Sequence, residues 1–538
     1  MSLQAAGQRP AIARLFTLLH PTPSPVLLAA AFLPVLLVLV PLGVTVVKAF
    51  NLGAEEAARL LFRPLVGELL LHTLAIAVAA AATSALIGTA AAWFVERTHL
   101  PGRRVWAVLA AVPLAVPAFI TSYAWVSLSA SLQDFAGALL VVTSAYYPLV
   151  YLPVAAALRG MDPAVEETAR SLGCSPAASF FRVVLPQLRP ALFGGMLLVT
   201  LDVLAEFGAF SLLRFRTFTT QIYAEYRTGF NGAGASLLSA VLIFLCLICL
   251  VAELKVRGGA RYGRLGRGTR RTIARHELGG AKLPVLAGFL LLIALTLGLP
   301  LGMILFWLTQ HGGAASTPVA PAPLLLLAAT AHSLGLGLAG AALTTLIALP
   351  LGFLATRHRG PLVTFLERAA YLAQGVPGIV IALAIVSLTV HALRPLYQTT
   401  ALLLFAYAIL FLPLALVSVR SALIQAQPNL EDAGRALGLG RLAVIHRVVL
   451  PLAAPGLGAA GAMVFISVVT ELTTTLLLAP IGTRTLATQV WADTSTLAFA
   501  AAAPFAGLLV LISLASSWLL ASFFGRSGLL GTTPSGRL

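Results

Sequence analysis

Glu166–Leu192, EETARSLGCSPAASFFRVVLPQLRPAL, recurs 265 residues later as Glu431–Leu457, EDAGRALGLGRLAVIHRVVLPLAAPGL. Twelve of the 27 positions are identical, including Arg170/Arg435, Gly173/Gly438 and the run Arg182–Pro186 against Arg447–Pro451. Both copies are polar, and the chain around them is almost wholly apolar. A polar segment kept twice inside a duplicated apolar chain points to a contact made outside the apolar environment.

The composition excludes an ordinary soluble domain: 59% hydrophobic residues against 10% charged, with a mean hydropathy of +0.96. A helix crossing a bilayer needs about 20 mostly apolar residues. Twelve stretches qualify: 26–48, 68–94, 105–128, 137–158, 190–213, 235–253, 283–308, 328–355, 366–390, 399–419, 455–478 and 500–523. These runs are longer than a barrel strand requires, so the expected fold is an all-α polytopic membrane protein. The first run is too long for a signal-peptide core and lacks a cleavage site, so a retained helix is expected.

With the N-terminus inside, 27 of the 35 Lys and Arg fall on the cytoplasmic side. That asymmetry puts both polar segments and both termini in the cytoplasm. The net charge of +17 is explained by retained cytoplasmic charge near anionic headgroups. No basic fold with base-reading aromatics accompanies it, so no nucleic-acid partner is expected. Cys246 and Cys249 form a C-x2-C within the sixth run, read as small buried apolar groups; no metal site is expected there.

The duplication extends along the whole chain. His72-Thr73-Leu74 matches His332-Ser333-Leu334, and Arg97, Pro101, Pro117 and Pro153 match Arg357, Pro361, Pro377 and Pro413, all at an offset of 260. At 265, Glu206 matches Glu471; after a further shift Arg216–Gln221 pairs with Arg484–Gln489. Two tandem six-helix domains are expected, 1–255 and 283–538, joined by a basic Gly- and Arg-rich linker at 256–282. With an even number of spans each, the halves share one topology and a pseudo-twofold axis along the membrane normal.

Each polar segment reads as an elbow, at 162–190 and 427–455. Asp162-Pro163 supplies an N-cap and a first-turn proline. Glu166 and Glu167 favour the positive helix end, and Val165, Ala169 and Leu172 form an apolar stripe. Gly173 suits the left-handed residue that ends the helix. A second short helix follows, with Pro186 expected just past it. Gln427-Pro428, Leu430, Leu437, Gly438 and Pro451 repeat the plan.

The spacing E-x-A-x3-G-x12-P, carried by Glu167, Ala169, Gly173 and Pro186, resembles the coupling motif of binding-protein-dependent ABC importer permeases. Asp432 and Gly434 depart from it where the family usually has Glu and Ala. The resemblance implies the type I importer permease fold and docking of the elbows on a separate, homodimeric ATPase. It assigns that coupling role to Glu166, Glu167, Ala169, Gly173 and Pro186, and to Glu431, Asp432, Gly438 and Pro451. It also implies a periplasmic or lipoprotein substrate-binding protein and a place in the bacterial inner membrane. Glu206–Arg214, EFGAFSLLR, and Phe218–Tyr223, FTTQIY, are most similar to the fused ferric-iron group. Thiamine and phosphonate permeases share a related layout.

The chain has no G-x4-G-K-[ST] segment; its three lysines, Lys48, Lys255 and Lys282, stand elsewhere. No catalytic constellation is found, so a transport subunit without a catalytic site or cofactor is expected, ATP being used by the partner. Glu206, Glu471 and Asp202 fall within apolar runs, where charge is costly and functional by default. They either line the translocation path, as hard oxygen ligands facing each other, or are structural carboxylates packed between the halves. Pro113, Pro117 and Pro377 either provide kinks that let spans three and nine open or pack statically, the static reading being preferred. The rivals are an ion-coupled secondary transporter, which would want midplane ionisable groups and no docking elbow, and a polytopic membrane enzyme, which would want a polar catalytic cluster.

Overall fold

The computed structural model describes residues 23–257, 275–310 and 323–529. The central part of the expected linker therefore lies outside the described residues. Within them the chain is helical throughout, and its one isolated β-bridge joins Thr98 to His276. Continuous helices satisfy their own backbone groups, which an apolar environment demands.

Among the described residues, ten helices are long and apolar enough to cross a membrane: Pro25–Asn51, Pro64–Arg97, Phe135–Gly160, Phe180–Ala205, Gly232–Ala252, Gly279–Thr309, Pro323–Arg357, Thr400–Gln425, Leu442–Val469 and Phe499–Ser522. Two bent pairs complete twelve: Arg103–Ala115 with Ala118–Leu128 at 90°, and Pro361–Gly375 with Gly378–Ala392 at 105°. The bends have one cause in both halves. Val116 and Val376 precede Pro117 and Pro377, and proline pushes the residue before it out of the helical region. Spans three and nine are thus bent at the repeated Pro117 and Pro377. Pro113 lies in the short 3₁₀ turn just before the first break.

Spans five and eleven correct the expected boundaries. They run Phe180–Ala205 and Leu442–Val469, about ten residues earlier than their hydropathy places them. Each begins inside its elbow, because the elbow's second helix continues into the span through a π-helical turn, Phe180–Val184 in one and Ile445–Val449 in the other. Pro186 and Pro451 were expected past the end of that helix. They lie instead in the first turn of the span helix, just after the π turn. There Leu185 N–H reaches back five residues to Phe180 O, so the ladder changes register where the proline has no N–H to give.

The chain packs as two compact units that differ from the sequence halves. One comprises Val46–Thr330 with Arg484–Leu514, the other Met1–Thr45 with Ala331–Thr483 and Ala515–Leu538. In the first, spans two, four and five form the core. Gly88 and Gly195 set its spacing: a Cβ on Gly88 would stand 2.8 Å from Tyr151 N, and one on Gly195 2.8 Å from Leu149 O. Small residues at such crossings let backbones approach, which drives helix association where no water is expelled. In the second unit, spans ten and eleven make the closest pair. The repeated segments at 216–221 and 484–489 build the same capping box, Thr217 with Thr220 and Thr485 with Thr488. Cys246 is buried as expected, whereas Cys249 is only half-buried.

Candidate functional site: two matched elbows

The first elbow helix, Pro163–Ser171, opens where the Asp162 carboxylate accepts from Ala164 N at 3.0 Å. It closes at Gly173, whose φ of +86° is left-handed. Gly173 N–H bonds Arg170 O at 3.0 Å and Cys174 N–H bonds Ala169 O at 3.1 Å, the paired bonds of a Schellman cap. The second elbow helix, Pro428–Ala436, ends identically: Gly438 has φ +85°, with Gly438 N–H to Arg435 O at 2.9 Å and Leu439 N–H to Gly434 O at 3.1 Å. Its N-cap Gln427 makes no side-chain bond.

The acidic residues divide into two roles. Glu167 and Asp432 are exposed, whereas Glu166 and Glu431 are buried and turn inward. Arg97, the last residue of span two and 1% exposed, donates from Nη1 to Glu166 Oε2 at 3.3 Å. Arg357, the last residue of span eight, donates from Nε to Glu431 Oε1 at 2.7 Å. Its Nη2 also reaches Leu423 O at 3.1 Å and Ala426 O at 2.5 Å, at the end of span ten. In each half a guanidinium at the end of the span that precedes the bent pair fastens that span to the elbow. Sequence reading matched Arg97 with Arg357 but gave neither a role. The available signal was a duplicated arginine at the end of an apolar run beside a duplicated glutamate.

The apolar stripe also needs correction. Val165 and Ala169 are half-buried, but Leu172 is 80% exposed and its counterpart Leu437 is 84% exposed. Phe181, Leu430 and Leu442 are exposed on the same two segments. At Gly434, an alanine methyl would meet Val444, Val448 and Leu439 at 3.4–3.6 Å. That is ordinary contact, so space does not dictate the departure from alanine.

Glu206 and Glu471 stand just past spans five and eleven rather than inside them, because each ends its span by capping the next short helix. Glu206 Oε1 accepts from Ala209 N at 2.8 Å, and Glu471 Oε1 from Thr474 N at 2.8 Å. Tyr146 O–H donates to Glu206 Oε2 at 2.5 Å. Asp202 lies one turn earlier on span five and is exposed.

The chain matches the family described as binding-protein-dependent transport system inner membrane component twice, over residues 84–256 and 348–526. It belongs to that family. It is 36% identical over 474 residues to the Fe(3+)-transport system permease protein FbpB 2 of Haemophilus influenzae, covering 88% of this chain and 93% of the relative. It is 28% identical over 250 residues to the sulfate transport system permease protein CysT of Salmonella typhimurium, covering 43% of this chain and 89% of that one. The probable sulfate permease cysT of Nephroselmis olivacea is 25% identical over 237 residues, 40% of this chain and 82% of the relative. A relative of ordinary length thus aligns with less than half of the chain, so this inner membrane component carries two permease domains in tandem. Family membership makes it a transport component that works with a substrate-binding protein and an ATPase.

Proposed function

We propose that the chain is the membrane subunit of an ATP-driven importer for ferric iron. An extracytoplasmic binding protein would deliver the cargo, and two copies of one ATPase would dock on the two elbows. The observation that carries the coupling role is the matched pair of exposed leucines, Leu172 and Leu437, beside left-handed Gly173 and Gly438. Large apolar groups displayed on polar elbows, beyond the ends of the apolar spans, mark a protein contact. The basic residues argue that this end, with both termini, faces the cytoplasm. Glu166 and Glu431 then hold each elbow on its span, while Glu167, Asp432 and the leucines meet the ATPase. Closure of the ATPase dimer would push the elbows, and the continuous helices Phe180–Ala205 and Leu442–Val469 would carry the displacement across the bilayer. The chain supplies no ATP chemistry and no catalytic residue.

Iron as cargo rests on the similarity to the Fe(3+) permease over nearly the whole chain. The weaker similarity to sulfate permeases keeps an oxyanion as the second reading. Radioactive ferric iron, sulfate, thiamine and a phosphonate should be offered in turn to proteoliposomes holding the permease, its ATPase and its binding protein. ATP-dependent iron uptake alone is expected. Uptake of another solute would overturn the cargo assignment, and uptake driven by a proton gradient without ATPase would overturn the importer reading.

The caps at Glu206 give a further expected result. Glu206→Ala leaves Tyr146 O–H and Ala209 N–H without their acceptor, costing about 1–3 kcal/mol for each buried group. Glu206→Gln keeps an acceptor for the amide, so uptake within about two-fold of wild type is expected for a capping role, two-fold being roughly 0.4 kcal/mol. Loss of transport in Glu206→Gln with normal thermal stability would instead assign the carboxylate to the cargo path.

A further inference from the structure

The two elbows are held differently, and the difference is made by the end of the interdomain linker. In the second half Arg435 bonds its own helix directly, from Nη2 to Glu431 Oε2 at 3.3 Å and from Nη1 to Asp432 Oδ1 at 2.8 Å. Arg170 is its counterpart in the repeat. In the first half an imidazole stands between the corresponding groups: His276 Nε2 lies 3.2 Å from Glu166 Oε1, and Arg170 Nη2 lies 3.4 Å from His276 Nδ1. Because arginine can only donate, Nδ1 is the acceptor, and the hydrogen sits on Nε2 where it bonds the carboxylate. One tautomer satisfies both neighbours.

The backbone fixes the ring in place. His276 N–H donates to Arg97 O at 2.8 Å, and His99 N–H donates to His276 O at 3.0 Å, forming the bridge with Thr98. The ring stacks on Trp93 with centroids 5.9 Å apart, and Trp93 meets Phe180 of the elbow edge-on at 4.8 Å. Three residues after His276 the helix of span seven begins, at Gly279. Arg275–Glu277 therefore joins the end of span two, the first elbow and the start of span seven.

We propose that Arg275–Glu277 is a strap and that His276 is a positioning residue for the first elbow. Displacement of that elbow would then be passed to span seven as well as to span five. The second elbow closes the same ion pair from within its own helix. This inference rests on the reading of the elbows as ATPase-docking pieces, and its consequence is unequal coupling by the two.

The test uses the assembled importer in proteoliposomes and reads iron transported per ATP hydrolysed. His276→Ala is expected to lower that ratio about five-fold, the effect of losing roughly one ordinary hydrogen bond. His276→Gln offers an acceptor and a donor in similar places and should restore the ratio to within about two-fold. Adding Glu166→Gln to His276→Ala should lower the ratio by a smaller factor than Glu166→Gln does in the wild type, the remaining loss being that of the Arg97 contact, whereas adding Glu431→Gln should multiply the two single effects. Amide hydrogen exchange at His99 and His276 in the same complex should be slow in the wild type and fast in His276→Ala. Fast exchange in the wild type, an unchanged ratio in His276→Ala, or independence of His276→Ala and Glu166→Gln would overturn the strap. Gly173→Val serves as the control. If it leaves ATPase binding and uptake intact, the docking reading fails; if it abolishes them while His276→Ala behaves as wild type, the strap alone fails.

Discussion

Arg357→Ala is expected to destabilise the permease by about 3–5 kcal/mol, the cost of breaking a buried ion pair by removing one of its partners. Arg357 is the common partner of three groups: Glu431 Oε1, Leu423 O and Ala426 O. Its loss leaves Glu431 with Arg435 alone and orphans two carbonyls at the end of span ten. Arg357→Lys should recover only part, because an ammonium lacks the planar fork that serves all three acceptors. The first half should behave more mildly. Arg97 meets Glu166 at 3.3 Å, and its Nε and Nη2 have no hydrogen-bond partner among the described residues. Its desolvation is poorly offset, so Arg97→Met paired with Glu166→Gln should approach wild-type stability. The apparent melting temperature of the detergent-solubilised permease checks the order, with Arg357→Ala lowest. A larger drop for Arg97→Ala than for Arg357→Ala would contradict it.

Gly173→Val and Gly438→Val are expected to reduce ATPase retention each by about five- to thirty-fold, and together to abolish it. The left-handed conformation costs a side-chain-bearing residue about 1–2 kcal/mol, which is that range as an equilibrium factor. A Cβ at either glycine would meet nothing within 4 Å, so packing inside the chain is not disturbed. The effect must arise from cap geometry and from bulk in open space where the ATPase is proposed to sit. Asparagine visits the left-handed region, so Gly173→Asn and Gly438→Asn should retain most of the ATPase. Co-purification of the ATPase with tagged permease variants measures this. Equal retention by valine and asparagine variants would show that the left-handed caps do not set the docking geometry.

Much of this architecture was legible from the residues. Hydropathy gave twelve spans, and the helix-end residues of the elbows gave the left-handed Gly173 and Gly438 and the Asp162 cap. What hydropathy could not show is where a helix starts when its first turns are polar. Spans five and eleven begin at Phe180 and Leu442 because the π turns keep the elbow and span in one helix, and prolines that ordinarily end helices sit harmlessly in the first turn after them. Likewise Glu206 and Glu471 looked like charges inside the spans, and each is a cap at the end of one. The acidic pair of each elbow was assigned to one role because adjacent residues on a helix cannot be told apart by type alone. Direction decides it: they point about 100° apart, so one meets the buried arginine and the other is exposed. His276 had no signal, since it lies in a linker outside the repeat and acts only through where the chain places it.

The most direct measurement is cysteine cross-linking from Leu172→Cys and Leu437→Cys to the ATPase in the assembled importer, in a chain whose native cysteines are replaced. Both positions are expected to cross-link, each to a different ATPase copy, and the yields should change when ATP closes the ATPase dimer. Active, ATP-dependent iron uptake with no cross-link from either position would contradict the assignment of the two elbows as the coupling surface.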